Sequence, residues 1–559
     1  MKRVNNKLLL AAAISALLAG CDSGGIEVKP TTVDNSTDNS VTNPGGDTNN
    51  PCAVIESTGV QGSYDGTHCS YGADFVDASK PLVEDLYLPA LPNGGAHIFS
   101  GSLFVGESFA SNAELQTAGI AKGGDGVKLE IQAGTTVAFK DNSAFMVVNR
   151  GSQLFARGTE SAPITFTSET DVRGTVGAED VSQWGGMVIN GFGVTNKCTY
   201  TGSVDGGDLA LSGECHVAAE GSTDDNTSYY GGDNNADSSG ELSYVRVKHT
   251  GAEVASGDEL NGIAFDAVGS GTVVRNLEAY STYDDGIEFF GGAVNVENYV
   301  ALYVRDDSID IDEGYRGSIT NALVVQSETD GNHCIEADGI GSYAASTDYT
   351  ALIAAGLNSR PVIDGLTCIV SAQAAGTHDP GAGWRLREGI YPMITNSMIV
   401  ASFSADENGA EGSNYCLRVE SAQTRNEAET GTEVALTSNI FACEDRTKTD
   451  KDDNGTPDDK SDDFNLMDVQ AWAVASGNQF ATIAGQVNPT QDADAQLILL
   501  SGIPAMYTAD ALVVEGAAAT VTPVERAYLG ALDVNGTDWT KGWTYGLHEG
   551  SRAKPLWFE

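Results

Sequence analysis

Short runs in which every second residue is hydrophobic recur along the chain, and glycine, asparagine and aspartate separate them. This period of two is typical of β-strands, whose successive side chains point to opposite faces. In "IEFF" and "IDID" we expect Ile287, Phe289, Ile309 and Ile311 to face a core, and the acidic residues between them to point outward. The pattern therefore predicts a chain built mainly from short strands.

The strands recur at a regular interval. Asn276, Asn298 and Asn321 occupy matching positions 22 and 23 residues apart, and Asn396 and Asn439 lie near the start of later segments of the same kind. A repeat of this length indicates a solenoid in which each coil stacks on the one before it. We predict an all-β fold, a right-handed parallel β-helix with an N-terminal cap and a mixed C-terminal cap.

Four segments carry a further resemblance. They are "LEIQAGTTVAFKDNSAFMVVNRGSQLFARGTESAPITFTS" (129–168), "WGGMVING" (184–191), "SGELSYVRVKHTGAE" (239–253) and "YLGALDVNGTDWTKGWTYGL" (528–547). Together they resemble a large group of bacterial surface β-helix proteins, over most of the chain beyond residue 125. The resemblance implies the architecture and leaves the function open, because one fold hosts many functions.

Changes in composition divide the chain into six regions. In chain order we predict a lipoprotein signal peptide (1–20), a disordered tether (21–51), a disulfide-closed N-terminal capping region (52–125), the β-helix (126–445), an acidic calcium-type loop (446–464) and a C-terminal capping region (465–559). The tether is polar and poor in large apolar residues, so it cannot bury enough surface to fold.

The N-terminus carries the features of an export signal. A basic start is followed by an apolar run too short to span a bilayer and then by Cys21. "LAGC" resembles the lipobox of bacterial lipoproteins, and that resemblance implies a lipid on Cys21 as the membrane attachment. We expect a surface-exposed outer-membrane lipoprotein. Asp22 resembles an inner-membrane retention signal, which leaves the inner membrane as the alternative.

The charge balance narrows the possible partners. The chain has 30 basic and 78 acidic residues, a net charge of −48. Nucleic acid is excluded as a partner, because phosphate contacts require lysine and arginine. An acidic exported surface suits cations, basic partners or a saline medium. We expect a monomer.

Nine cysteines include Cys21, which leaves eight in an oxidising compartment. No two of them have the C-x-x-C spacing of a zinc or thioredoxin-type centre. Proximity along the chain predicts four local bridges, Cys52–Cys69, Cys198–Cys215, Cys334–Cys368 and Cys416–Cys443.

The first candidate metal site is "DKDDNGTPDDKSDD". Its start matches the D-x-[DN]-x-[DN]-G opening of a calcium loop, in which oxygen ligands alternate and glycine makes the turn. Loop position twelve is serine rather than glutamate, so the spacing is closer to thrombospondin-type repeats than to an EF-hand. A solvated acidic hairpin that binds nothing is the alternative. The candidate ligands are Asp450, Asp452, Asn454, Asp458 and Asp462.

Two acidic doublets form the second candidate. Asp284 and Asp285 precede Asp306 and Asp307 by one repeat, so they should stack about 4.8 Å apart on neighbouring coils. Like charges at that distance repel. Bridging cations, basic side chains such as Arg305, or a retained proton could each relieve the repulsion. We expect a cation, with calcium as the first choice.

The same doublets allow an enzymatic interpretation. Polygalacturonase-type glycosidases are β-helices whose acid and base carboxylates lie on adjacent coils, followed by Gly-His-Gly and Arg-x-Lys elements. A similar order occurs here, although a cysteine follows the histidine and "RLR" lacks the lysine. The matching residues are Asp285, Asp306, Asp307, His333, Arg385 and Arg387.

We therefore expect a cell-surface lipoprotein whose calcium-stabilised β-helix binds an extracellular ligand, a polysaccharide or a partner protein. Binding is favoured over catalysis, because aspartate and glycine recur at coil corners in any β-helix. One alternative is a polygalacturonase-like hydrolase or a lyase that uses Asp285, Asp306 and Asp307. Another is a structural or adhesion protein of the envelope.

Overall fold

The computed structural model describes most of the chain after residue 49. The described residues are 50–222, 227–255, 258–327, 330–341, 347–370, 381–401, 415–443, 445–456, 460–461, 463–480, 482–483, 512–514, 517–518, 521–533 and 535–556. Cys21, the predicted signal peptide and nearly all of the predicted tether lie outside them.

A ten-stranded parallel sheet runs along one side of the solenoid, with one strand from each coil. Its strands are Leu103–Val105, Met146–Val148, Met187–Asn190, Ile263–Asp266, Ile287–Phe290, Ile309–Asp312, His333–Asp338, Ala382–Arg387, Tyr415–Val419 and Asp445–Thr449.

An eighteen-stranded sheet supplies the other sides, and all but its first pairing are parallel. Its strands are Ser63–Tyr64, Cys69–Tyr71, Leu86–Leu88, Ala96–Phe99, Lys128–Ile131, Thr136–Phe139, Gln153–Arg157, Ile164–Ser168, Gly240–Lys248, Val273–Tyr280, Asn295–Leu302, Ser318–Val325, Val362–Val370, Met393–Thr395, Met398–Ala401, Ala435–Thr437, Ile440–Ala442 and Gln479–Phe480.

Short helices and antiparallel strand pairs lie in the segments between the sheet strands. The helices are Asn112–Ala118, Glu169–Val172, Tyr349–Ala354, Ala422–Thr430 and Val469–Ala475, with a 3₁₀ turn at Pro92–Gly94. The antiparallel pairs are Val54–Ile55 with Val60–Gln61, Tyr200–Thr201 with Ala210–Leu211, Val217–Ala218 with Tyr229–Tyr230, Glu253–Ala255 with Asp258–Glu259, and Lys451–Asp452 with Phe464–Asn465. Thr482–Ile483, Leu512–Val514 and Ala517–Ala518 form a three-stranded sheet.

Register within the sheets confirms the predicted parallel β-helix. Ile287 pairs with Ile309, and Phe289 pairs with Ile311, on consecutive coils. All four side chains are fully buried in one continuous core that extends through the stack. The period-two pattern was sufficient to predict which side chains face the core, because each inward residue contacts the equivalent residue of the next coil.

Parallel stacking begins earlier than residue 126. Cys69–Tyr71 pairs in parallel with Ala96–Phe99, and Leu86–Leu88 pairs with Lys128–Ile131. The region predicted as a cap therefore contributes strands to the solenoid as well. These strands are only three or four residues long and do not recur at the 22-residue interval, so the repeat did not reveal them.

The repeated asparagines mark a bend within the long strands. Asn276, Asn298, Asn321 and Asn396 all have positive φ, between 54° and 61°. Asparagine tolerates this left-handed conformation better than most residues. In a later coil Ser438 (φ 62°), not Asn439, takes this position. What repeats is therefore the left-handed backbone conformation. The prediction that Asn439 takes the same position as the earlier asparagines was wrong by one residue.

The C-terminal region has two parts. The helix Val469–Ala475 packs its Val469 and Ala473 side chains against the main core near the last coils. Residues 521–533 and 535–556, which we call the lateral segment, instead run along the outside of the eighteen-stranded sheet. Trp543 and Leu547 are buried there against the outer face of the long strands.

All four predicted disulfides are present: Cys52–Cys69, Cys198–Cys215, Cys334–Cys368 and Cys416–Cys443. Cys334 and Cys368 are both fully buried and join the two sheets through the interior of the solenoid. Within the described residues, no helix is long and apolar enough to cross a lipid bilayer.

Candidate functional site

The two acidic doublets stack on neighbouring coils as predicted. Asp285 Oδ1 accepts the Asp307 backbone N–H at 2.9 Å, and Asp307 Oδ1 accepts the His333 N–H at 2.6 Å. Asn261 does the same for Asp285, at 3.2 Å. Each side chain thus caps the amide of the next coil. Since asparagine makes the same contact, this structural role does not require the negative charge.

Further carboxylates continue the cluster on the outer face of the ten-stranded sheet. Glu288 pairs in register with Asp310, and Asp310 pairs with Glu336. The alternation that buries Ile287 and Ile309 therefore aligns their acidic neighbours. We call the group of Asp284, Asp285, Glu288, Asp306, Asp307, Asp310 and Glu336 the acidic ladder.

Three sets of side chains in or beside this ladder place their potential ligand atoms within 4.8 Å of one another. They are Asp284 with Asp285 and Asp306, Asp285 with Glu288 and Asp310, and Asp307 with His333 and Glu336. The first two sets offer only carboxylate oxygens and share Asp285. Hard cations such as Ca²⁺ prefer oxygen ligands of this kind.

Burial and mutual repulsion favour the neutral forms of these carboxyls. Burial first, and then the charge of Asp306, raise the pKa of Asp284 to about 8. Burial first, and then the charges of neighbouring carboxylates, raise the pKa values of Asp285, Glu288 and Asp310 well above the ordinary range. Among the described residues, no basic side chain lies within ion-pair distance of these four. The ladder therefore retains protons or takes up a cation.

Neighbouring arginines do not neutralise the doublets. Arg305 pairs with Asp330 at 3.4 Å and donates to the Glu179 carbonyl at 2.9 Å. Arg316 pairs with Asp205 at 3.0 Å. The sequence left three ways to relieve the repulsion between the doublets. Neutralisation by Arg305 or Arg316 is not the way found in the structure.

His333 occupies the end of the ladder that contains Asp307. Its Nδ1 lies 2.8 Å from Asp307 Oδ1 and 3.0 Å from Glu336 Oε2, and its Nε2 lies 2.8 Å from the Tyr415 hydroxyl. Burial opposes the charge on the imidazole, but the two carboxylates raise the pKa of His333 well above its usual value. Burial raises the pKa of Asp307 to about 7 against the opposing effect of His333. A proton is therefore held among these groups near neutral pH.

Two arginines flank the histidine. Arg385 lies 3.3 Å from Glu336 and 2.6 Å from Glu420, and Arg387 pairs with Asp338 and Glu336. These cations, together with His333, overcome the effect of burial and lower the pKa of Glu336 to about 2. The six residues that match the polygalacturonase order are thus gathered on the ten-stranded sheet and the turns that enter it.

The acidic loop after residue 449 is a β-hairpin with strands Lys451–Asp452 and Phe464–Asn465. Asp450 accepts the Ser421 N–H at 2.9 Å and pairs with Arg425. Asp452 caps the Asn454 N–H at 2.8 Å. The strand Asp445–Thr449 precedes the loop, where an EF-hand would have a helix. Asp458 and Asp462, the other two predicted ligands, lie outside the described residues.

The sequence interpretation missed two contributors to the site. Tyr415 follows a segment with no recognisable repeat, and its contact with His333 spans 82 residues. Glu220 belongs to a long insertion between coils and shares Asn261 with Glu288, through hydrogen bonds of 3.1 and 2.5 Å. Glu336 could have been found, because it continues the outward row of Glu288 and Asp310.

A comparison with protein families agrees with this architecture. A family model described as a pectate-lyase-like β-helix domain matches residues 109–485. No curated protein matches the chain. Among solved structures, the Dettilon tailspike protein (gp208) is similar at 11% identity with a TM-score of 0.21, and the match covers 70% of this chain and 62% of the tailspike chain. The family match is consistent with carbohydrate binding or a carbohydrate-active role.

Proposed function

This chain belongs to the pectate-lyase-like β-helix family, and we propose that it is a cell-surface lipoprotein whose acidic ladder binds Ca²⁺ and, with it, a polysaccharide. The observation that carries the proposal is the convergence of Asp284, Asp285 and Asp306 within 4.8 Å, with no basic group paired to Asp284 or Asp285 among the described residues.

Calcium suits this set of donors. It takes roughly six to eight oxygen ligands at about 2.3–2.6 Å, in flexible geometry. Asp285 uses one oxygen to cap the Asp307 amide, and its second oxygen remains available for an ion. An ion held here would also relieve the repulsion that raises the pKa values of the ladder.

The face beside the ladder suits an extended carbohydrate. Parallel coils repeat their side chains at about 4.8 Å, so a linear polymer can meet equivalent groups on successive coils. A partner protein on the same face is the alternative ligand.

Anchorage is proposed from the N-terminal sequence alone. A lipid on Cys21 would attach the protein to the outer membrane, and the polar residues after it would present the β-helix at the cell surface. Protease treatment of intact cells tests this arrangement. Digestion only after cell disruption would favour the inner membrane that Asp22 suggests.

Calcium titration by calorimetry tests the ion site. We expect Asp285→Asn, which keeps the amide cap, to weaken binding at least about tenfold, equivalent to about 1.4 kcal/mol. Glu297→Gln is the matched control, because Glu297 is an exposed carboxylate in the eighteen-stranded sheet. Asp452→Asn tests whether the acidic hairpin, rather than the ladder, binds the titrated calcium. Unchanged titration of Asp285→Asn would contradict the proposal.

Binding to a glycan array, with and without a chelator, tests the ligand. We expect binding to acidic or neutral polysaccharides that falls when calcium is removed and falls in Asp285→Asn, whereas Glu297→Gln binds normally. Retention of a protein partner instead of any glycan would favour the alternative ligand.

A second candidate function is glycoside hydrolysis, which the contact of His333 with Asp307 and Glu336 specifically favours. Asp285, kept protonated by burial, would protonate the glycosidic oxygen as that bond breaks. Asp306 or Asp307 would take a proton from the attacking water. Turnover of a polysaccharide that is abolished in Asp307→Asn would establish catalysis, and its absence across a substrate panel would exclude it.

A further inference from the structure

A second group of buried oxygens lies apart from the acidic ladder, beneath a long insertion. Residues 192–222 and 227–237, which we call the covering loop, close over the first coils of the ten-stranded sheet. Cys198–Cys215 clips the covering loop, and Tyr230 within it donates to Glu313 at 2.8 Å. Ala219 and Tyr230 pack on the outward Val147, Val188 and Ala264 side chains.

Three polar side chains lie next to this apolar patch, at the ends of consecutive strands. Asn190 pairs in register with Asp266, and Asn149 directly follows Val148, which pairs with Ile189. Exposure is 1% for Asn149 and 0% for Asn190 and Asp266. All three point away from the main core, because their predecessors Val148, Ile189 and Phe265 point into it.

Five atoms of these side chains have no hydrogen-bond partner among the residues that the structure describes. They are Asn149 Oδ1, both polar atoms of the Asn190 amide and both carboxylate oxygens of Asp266. Buried polar atoms are nearly always paired, because the loss of contact with water is otherwise uncompensated. A fully buried carboxylate with two unpaired oxygens therefore points to a ligand.

The charges around Asp266 favour a cation as that ligand. Besides burial, the charges that raise the pKa of Asp266 are those of Glu220 and Glu313, which are both acidic. Glu278, another fully buried carboxylate, is different. Its Oε1 also has no hydrogen-bond partner among the described residues, but its other oxygen accepts the Tyr545 N–H at 2.8 Å, and the cations of Arg246 and Lys248 partly offset the burial that raises its pKa to about 8.

The spacing also suits a hard cation. Neighbouring strands lie about 4.8 Å apart, which is close to twice the Ca²⁺–oxygen distance of about 2.3–2.6 Å. An ion between Asn190 and Asp266 would therefore reach oxygens from both strands at once. The amide oxygen of Asn190 and the carboxylate of Asp266 are donors of the kind that calcium accepts.

We propose that Asp266 and Asn190 hold a buried Ca²⁺ ion beneath the covering loop. This site is separate from the acidic ladder and does not depend on the proposed function. The covering loop supplies Glu220, whose hydrogen bond to Asn261 links it to Glu288.

Metal analysis of the full chain after exhaustive dialysis tests the proposal. We expect Asp266→Asn to hold one calcium fewer per chain than the wild type and to lose part of the calcium-induced rise in Tm. Glu278→Gln, the matched buried carboxylate, should keep the wild-type calcium content. Asp285→Asn should lose calcium only from the ladder, so the calcium content of each site can be tested without the other. Equal calcium in Asp266→Asn and wild type would overturn the proposal.

A second measurement remains decisive if Asp266→Asn does not fold. Crystals of the wild type grown with calcium should show an anomalous scattering peak between Asn190 and Asp266. An ordered water at that position, with no anomalous signal, would overturn the proposal. Mg²⁺ added alone should not reproduce the rise in Tm, because it demands shorter bonds and stricter geometry.

Discussion

At the scale of single residues, aspartate has two separable roles in the ladder. The side chains of Asn261, Asp285 and Asp307 each accept the backbone amide that begins the next coil. The charge is an addition to this cap, and it creates the electrostatic strain that a cation or a proton must relieve. Substitution by asparagine removes only the second role.

Comparison of two substitutions at Asp285 separates these roles. We expect Asp285→Ala to lower the free energy of unfolding by about 1–3 kcal/mol, because it leaves the buried Asp307 amide without its acceptor. Asp285→Asn should keep that hydrogen bond and, without calcium, should be at least as stable as the wild type. Denaturant unfolding in a chelator measures both. Equal losses in the two variants would contradict the assigned cap.

The raised pKa values predict an unusual dependence of stability on pH. Because the folded protein holds the Asp284 proton up to about pH 8, whereas an unfolded aspartate releases it near pH 4, stability should fall as pH rises between these values. The slope is about 1.4 kcal/mol per pH unit for each retained proton. Thermal unfolding from pH 4 to 8 in a chelator measures it.

Asp284→Asn should reduce this slope, whereas Glu297→Gln should leave it unchanged. Added calcium should restore the stability of the wild type at pH 8, because the ion replaces the protons. Stability that rises with pH across this range, in the absence of calcium, would mean that the folded protein lowers the pKa values of these carboxyls, and it would contradict the retained protons.

At the scale of elements, the long strands of the eighteen-stranded sheet bend at one residue with positive φ. The same position holds asparagine in four coils, and Tyr244 (φ 51°), Gly365 (φ 77°), Ser438 (φ 62°) and Gly477 (φ 91°) in others. Conformation rather than side-chain chemistry is therefore the common requirement. This bend lets one strand contribute to two sides of the solenoid.

Asn276 offers a test of this requirement, since no side-chain hydrogen bond accompanies its φ of 54°. We expect Asn276→Ala to cost about 1–2 kcal/mol in the left-handed conformation, and Asn276→Gly to be nearly neutral. Chemical denaturation measures the difference. If glycine destabilises more than alanine, the bend is not the reason for the asparagine.

The disulfide between Cys334 and Cys368 connects strands of the two sheets across the interior. Its sequence separation is 34 residues, compared with 17 for Cys52–Cys69. Replacement of both partners by alanine should cost about 2–4 kcal/mol, and more for the longer loop. Thermal unfolding of the two double variants measures this. A larger loss from Cys52–Cys69 would contradict the expected order.

At the scale of the whole molecule, charge changes sign along one outward row of the ten-stranded sheet. Glu288, Asp310 and Glu336 are followed in register by Arg385, Arg418 and Lys448. The acidic and basic halves meet at Glu336, where Arg385 and Arg387 form ion pairs. The net charge of the chain gives no indication of this local polarity.

The lateral segment covers hydrophobic residues on the outside of the solenoid. Trp543 is fully buried there, and Arg526 joins the segment to Asp364 at 3.2 Å. Trp543→Ala should therefore destabilise the fold by about 3–5 kcal/mol. Removal of residues 521–559 should expose the covered face and cause dye binding and self-association, measured by ANS fluorescence and gel filtration. A monomeric product without ANS binding would contradict this role.

The sequence alone determined the fold, because a period of two within strands and of about 22 between coils leaves few other ways to bury the apolar residues. It also determined the four disulfides, whose partners lie near one another in the chain, and the stacking of the acidic doublets. Only the tertiary structure brought Tyr415 and Glu220 to the ladder, and only it buried Asp266 beneath the covering loop. These contacts depend on insertions of irregular length, and their positions follow from long-range packing that no periodic pattern encodes.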